Sequence, residues 1–151
     1  SHSEYTYYHS ANVAILSVAP GSMKTRDAHF LSSLGSGALL HDIGDTLGSF
    51  NHPDIGAAIV WPFVDDDLHW MVQQHGIFQG YYFFEYLGLD PNMRDRFEGH
   101  PHYDLCAEFC ADFDQPAFDP DYPSLALEEF RPLLEGFFAS PKRSIYKRDQ
   151  S

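Results

Sequence analysis

The stretch Ala38-Leu39-Leu40-His41-Asp42-Ile43-Gly44-Asp45 sets a histidine and a carboxylate side by side at the end of an apolar run, with a glycine behind them that can turn the chain. Neighbours on a helix point about 100° apart, so His41 and Asp42 cannot grip one small object from one face as residues four apart would. A carboxylate has two oxygens, however. Asp42 can bridge two metal ions while His41 serves one of them, which makes this helix end a hinge for a pair of metals. The plain alternative is a buried His-Asp hydrogen bond, the ordinary reading of such a dipeptide taken alone. The rest of the chain decides between them.

Working outward, the apolar spacing upstream predicts a helix from Arg26 to Asp42 with Leu31, Leu34, Ala38 and His41 on one stripe. Gly35 and Gly37 within it are expected to allow close approach of another helix. Before it, Glu4 to Val18 reads as a helix that carries His9, Val13 and Leu16 on its inner face and stops at Ala19-Pro20-Gly21-Ser22. Downstream, Asp45 to Asn51 reads as turns, and Pro53 suits the first turn of a helix with His52, Ile55, Gly56 and Ile59 on one face. After Trp61-Pro62, the run Asp65-Asp66-Asp67 suits a helix start. Leu68, Met71, Val72 and His75 form the next stripe, which Gly76 is expected to interrupt. Phe78 to Tyr86 is then expected to be a separate, buried helix. Leu87 to Pro91 is a stop, Asn92 to Phe97 a short helix or turn, and Pro101 to Phe113 a helix with Tyr103, Ala107, Cys110 and Asp114 on one side. A Pro- and Asp-rich loop from Gln115 to Pro123 leads to a last helix, Ser124 to Phe138. No strand-like alternation occurs, so the fold class read here is all-α.

The 151 residues fit one domain, assigned to 1–140, followed by a basic C-terminal tail at 141–151 that is expected to be solvated. A net charge of -13, from 22 acidic against 9 basic residues, disfavours nucleic acid and anionic lipid as partners. No apolar run approaches a membrane span, and the first residues lack a signal-peptide pattern. The chain begins Ser1-His2-Ser3 without a methionine, as a segment of a longer protein would. Cys106 and Cys110, four apart on a helix, read as reduced core residues of a cytoplasmic protein.

Besides Asp42, the positions His9, His41, His52, His75 and Asp114 each put a potential metal ligand on an apolar stripe or at its end. Burying four imidazoles and two carboxylates in one small core leaves many polar atoms in need of partners, and metal ions satisfy them at once. The ligands come from different helices, as in bundle-core metal sites.

His9-Ser10-Ala11-Asn12-Val13-Ala14 and Ala38-Leu39-Leu40-His41-Asp42-Ile43-Gly44 resemble the first two motifs of the HD-domain superfamily of all-helical metalloenzymes. Asn51-His52-Pro53-Asp54-Ile55-Gly56-Ala57 and Gln74-His75-Gly76 resemble the third and fourth motifs of its di-metal members. The run from His41 to Asp114 is most similar to the mixed-valence di-iron oxygenases, the group of the phosphonate-cleaving oxygenases and myo-inositol oxygenase. The resemblance implies an HD-type helical bundle with a central di-metal site. One iron would be held by His9, His41, Asp42 and Asp114, and a second by Asp42, His52 and His75. It implies two iron ions, Fe2+ and Fe3+, with Mn or Mg as the alternative of a phosphohydrolase. Dioxygen and a small molecule are the implied partners.

The chain also departs from that group. Asp45 stands where the phosphonate enzymes have a histidine and inositol oxygenase a lysine, Gln79 where a lysine follows the fourth motif, and Ala111 where a basic residue shortly precedes the last aspartate. These changes remove cations that a phosphonate would need. Asp45 and Gln79 are therefore assigned as the catalytic positions of an oxygenase for a small hydroxyl- or amino-bearing molecule. A metal-dependent phosphohydrolase is the alternative, and an inactive metal-free binding module the third reading.

Overall fold

A computed structural model of the chain describes residues 8–14, 28–119, 121 and 125–146. It is all-helical, with no strand among the described residues. Helix α1 covers residues 8–14, α2 Ala28–Leu40, α3 His52–Val60, α4 Asp66–Gln79, α5 Tyr103–Glu108 and α6 Leu127–Ala139. The remainder of the predicted first helix, with Leu16, and the start predicted for the second lie outside the described residues, as do Ser124 and residues 147–151.

Helix α4 is the hub, because α2, α3, α5 and the turn that follows α5 all pack on it. Its stripe Leu68, Met71, Val72, His75 and Phe78 is buried, at helical spacing throughout. The helix does not break at Gly76. A Cβ there would stand 3.0 Å from the ring of Pro53, so this glycine lets α3 approach rather than ending α4. The α4 N-terminus follows Asp65, with Asp66 and Asp67 in its first turn beside the positive end of the helix dipole.

Two further glycines set the path of the central turn. A Cβ on Gly56 would meet the His41 carbonyl oxygen at 2.7 Å, and one on Gly44 would collide with the backbone carbonyl of His52. Bare backbone at these two points lets the His41–Asp42 turn and the start of α3 touch. The close approach expected at Gly37 is not found, since a Cβ there meets nothing within 4 Å among the described residues.

The expected buried helix over Phe78 to Tyr86 is also corrected. α4 runs on to Gln79, and the chain then makes two 3-10 turns, Gly80–Tyr82 and Phe84–Leu87, ended by Gly88 at φ 71. Tyr81, Phe83, Tyr86 and Leu87 are exposed. Phe84 folds back so that its ring lies against Gly80, where any side chain would clash.

After α5 the helix widens into a π-helical turn, Phe109–Asp114, and the Gln115 N–H donates to the Cys110 carbonyl five residues back at 2.9 Å. Cys106 and Cys110 are free, buried thiols as expected. They donate to the carbonyls of Met71 and His75 and thereby tie α5 to α4. Burial raises the Cys110 thiol well above its ordinary pKa, so it stays protonated.

The start of the C-terminal tail is docked rather than solvated. Lys142 and Arg143 donate backbone N–H groups to the Pro62 carbonyl, and the Arg143 guanidinium reaches the carbonyls of Trp61 and Val64, lies over the Trp61 ring and pairs with Asp66. Lys142 pairs with Asp65. Arg143 thus caps the carbonyl end of α3 and ties it to the start of α4. Among the described residues no helix is long and apolar enough to cross a membrane.

Candidate metal centre

The six sequence-predicted ligands arrive from five places in the chain and meet. His9 comes from α1, His41 and Asp42 from the turn after α2, His52 from the first residue of α3, His75 from the middle of α4, and Asp114 from the last position of the π turn. His9, His41, His75 and Asp114 are buried, and Asp42 and His52 open partly to a cavity.

Asp42 divides the group in two. Its Oδ1 lies 3.2 Å from His75 Nε2 and 3.4 Å from His52 Nε2, and those two nitrogens are 3.3 Å apart. Two ligand atoms each ~2.1 Å from one ion and about 90–110° apart stand roughly 3.0–3.4 Å from each other, so this triad has the spacing of ligands on a common metal. Its Oδ2 faces the other set, 3.2 Å from His41 Nε2 and 3.7 Å from His9 Nε2. Asp114 Oδ1 closes that set at 3.5 Å from His41 Nε2 and 2.6 Å from His9 Nε2. The 2.6 Å contact is a hydrogen bond, too short for two atoms sharing an ion, and it must open by several tenths of an ångström on loading.

The rings are also held in the ligating sense. His41 Nδ1 donates to the Ala38 carbonyl at 2.5 Å and His75 Nδ1 to the Val72 carbonyl at 2.6 Å, each three residues back on its own helix. A proton fixed on Nδ1 leaves the Nε2 lone pair free for a metal. His41 Nε2 is buried between Asp42 Oδ2 at 3.2 Å and Asp114 Oδ1 at 3.5 Å, where a metal ion would find all three donors. The residues present therefore fit two metal ions, one taken by His9, His41 and Asp42 with Asp114 beside them, the other by Asp42, His52 and His75.

No protein family, curated protein or solved structure matches the chain.

Electrostatics agree with that geometry. Burial alone would lower the His41 pKa, but the carboxylates of Asp42 and Asp114 outweigh it and hold the imidazole well above its ordinary value. Burial works the other way on the acids. His41 and His75 hold Asp42 well below the usual carboxylate range, and His41 and His9 do the same for Asp114. His52 is lowered, by burial first and then by the neighbouring His75. Without metal the buried end of the site is thus an ion cluster, with a proton on His41 where a metal would sit.

The centre opens into a cavity of about 590 Å³. Asp45 and Gln79 both line it, as do Phe83 and Phe84 from the exposed turns after α4. Phe50 and Phe118, which no sequence pattern singled out, complete its aromatic wall, and Phe118 stacks on the His9 ring at 4.0 Å. Asp45 Oδ1 lies 3.6 Å from the outer nitrogen of His52. Among the described residues Arg96 is the one Lys or Arg on the wall, against the carboxylates of Asp42, Asp45, Asp54 and Asp114. Gln115 was also missed, and it accepts a 2.6 Å hydrogen bond from Gln79 Nε2.

Proposed function

We propose that the chain is a metal-dependent HD-type enzyme, a di-iron oxygenase that acts on a small hydroxyl- or amino-bearing molecule with dioxygen as co-substrate. The observation that carries this reading is the division of Asp42, one oxygen toward each histidine set, beside an acidic and aromatic cavity. Bound iron would supply the one-electron chemistry and the activation of dioxygen. The protein's share would be to offer ligands to the two ions on either side of Asp42, to keep His41 and His75 in the Nδ1–H tautomer through their helix carbonyls, and to give the substrate an aromatic wall to lie against. Reduced cysteines suit a cytoplasmic setting, and the charge of -13 speaks against nucleic acid as a partner.

A phosphohydrolase using Mn or Mg is the second reading, and Arg96 on the cavity wall is what favours it, as a partner for an anion. The two separate in one experiment. Protein purified without oxygen is analysed for its metals, then assayed for oxygen uptake with amino alcohols and polyols beside phosphate release from nucleotides. Two irons with oxygen uptake is the expected result. Phosphate release without oxygen uptake on any candidate overturns the oxygenase, and a gain of phosphonate turnover in Asp45→His plus Gln79→Lys would trace the substrate class to those positions.

A further inference from the structure

The cavity over the metal centre, about 590 Å³, is large for a simple amino alcohol. A water molecule takes ~30 Å³ in the liquid, so the space amounts to roughly twenty waters, of which 2-aminoethanol would displace only about a fifth. The rest of the wall is not polar enough to keep that water gladly. Phe50 is wholly exposed, and Phe83 and Phe118 are 41% and 39% exposed, although all three line the cavity. Apolar surface left open beside polar groups marks a place where a ligand is buried.

Each of these rings is tied to an element that carries a potential metal ligand. Phe50 stands two residues before His52, and Phe118 stands four after Asp114 and stacks on the His9 ring at 4.0 Å. Phe83 follows the first turn beyond the helix that bears His75. The backbone that brings the ligands together therefore brings the rings to the same cavity. Exposure alone does not define the group, since Tyr86, 86% exposed in the next turn, does not line the cavity.

We propose that the substrate is an amphiphile, a hydroxyl or amine head at the metal centre joined to an apolar body about the size of a benzene ring that lies against Phe50, Phe83 and Phe118. The inference rests on the proposed function for the head and narrows it by the size and polarity of the remainder. A polyol or a bare amino alcohol would leave the three rings in water, whereas an apolar body releases that water and meets ring faces.

The test is calorimetric binding to the full chain, iron-loaded and kept free of oxygen so that nothing turns over. The probes are 2-aminoethanol and 2-amino-1-phenylethanol, which share one head and differ by a phenyl group. The phenyl probe should bind the wild type tighter by roughly tenfold or more, the worth of burying one such ring. Phe50→Ser plus Phe83→Ser removes two exposed rings, which costs the fold little, and should bring that preference below about threefold. Tyr86→Ser should keep the wild-type preference. The proposal is overturned if neither probe binds the wild type, if it binds both alike, if the preference survives in the double variant, or if Tyr86→Ser lowers it as far. A phenyl preference that depends on Phe50 and Phe83, with no oxygen uptake on any candidate, would sink the oxygenase alone. Oxygen uptake with 2-aminoethanol or a polyol, and no preference for the phenyl probe, would sink this inference alone.

Discussion

Removing the Asp42 side chain should abolish both metals at once, and the size of that loss can be worked out beforehand. Each carboxylate oxygen serves a different histidine set, so Asp42→Ala takes a ligand from both sites, whereas His75→Ala takes one from the Asp42–His52–His75 triad alone. A ligand present at a thousand times its dissociation constant stabilises the folded state by ~4.1 kcal/mol per independent site. In a chain of 151 residues, 1 kcal/mol moves the melting temperature by roughly 2–4 °C, so one filled site is worth about 8–16 °C and two about twice that. The quantity to compare is the metal-induced shift, because Asp42→Ala also strips the charge that balances His41 in the metal-free protein and lowers its starting melting temperature. Thermal melts with and without metal, beside elemental analysis, should give the full shift in the wild type, about half in His75→Ala and none in Asp42→Ala. Loss of a single metal, with equal shifts, from both variants would refute the bridging role.

The packing and the charges lead to four other expectations. Because Asp42 and Asp114 hold His41 above its ordinary pKa, a metal must displace its proton, so affinity should rise with pH and calorimetry in buffers of different ionisation enthalpy should show proton release; pH-independent loading would contradict this. In the metal-free chain the sign differs by group: the His41 contribution to stability is present below its unfolded pKa and fades as pH rises through the raised value, while those of Asp42 and Asp114 fade as pH falls through their lowered values. Gly56→Ala puts a Cβ 2.7 Å from the His41 carbonyl and should cost about 1–3 kcal/mol by denaturant melt while also weakening metal uptake, since it wedges the His41–Asp42 turn away from His52; unchanged uptake would argue against that coupling. Arg143→Ala should lower the melting temperature by ~2–6 °C, mainly through the uncapped carbonyls of Trp61 and Val64, because the partner Asp66 is 74% exposed and adds little; a loss that vanishes in high salt would show the ion pairs matter more than the cap.

The convergence of these side chains was legible because polar residues recurred where helical spacing demanded apolar ones: His9 with Val13, His41 with Leu34 and Ala38, His75 with Leu68, Met71 and Val72. What the spacing could not carry was anything set by contact between elements. Gly76 reads as a helix breaker in one dimension and is a seat for Pro53 in three. The aromatic stretch after α4 is apolar enough for a core, but Gly80 lets the chain fold back on Phe84, and its rings divide between cavity wall and solvent. Gln115 carried no signal, since its role rests on a five-residue backbone bond that composition does not announce.

That bond has a consequence for how the chain can change by insertion and deletion. A π turn is an α-helix with one residue too many, and its register is a matter of counting. Asp112 is exposed in this turn. A deletion within the turn is absorbed by the return to four-residue bonding, whereas one in the α-helical residues of α5 before it would turn everything after it by about 100°, carrying Asp114 away from His9 and Gln115 away from Gln79 in a single step. Those two contacts, though made by different side chains, are phased by one stretch of backbone and move together under indels there.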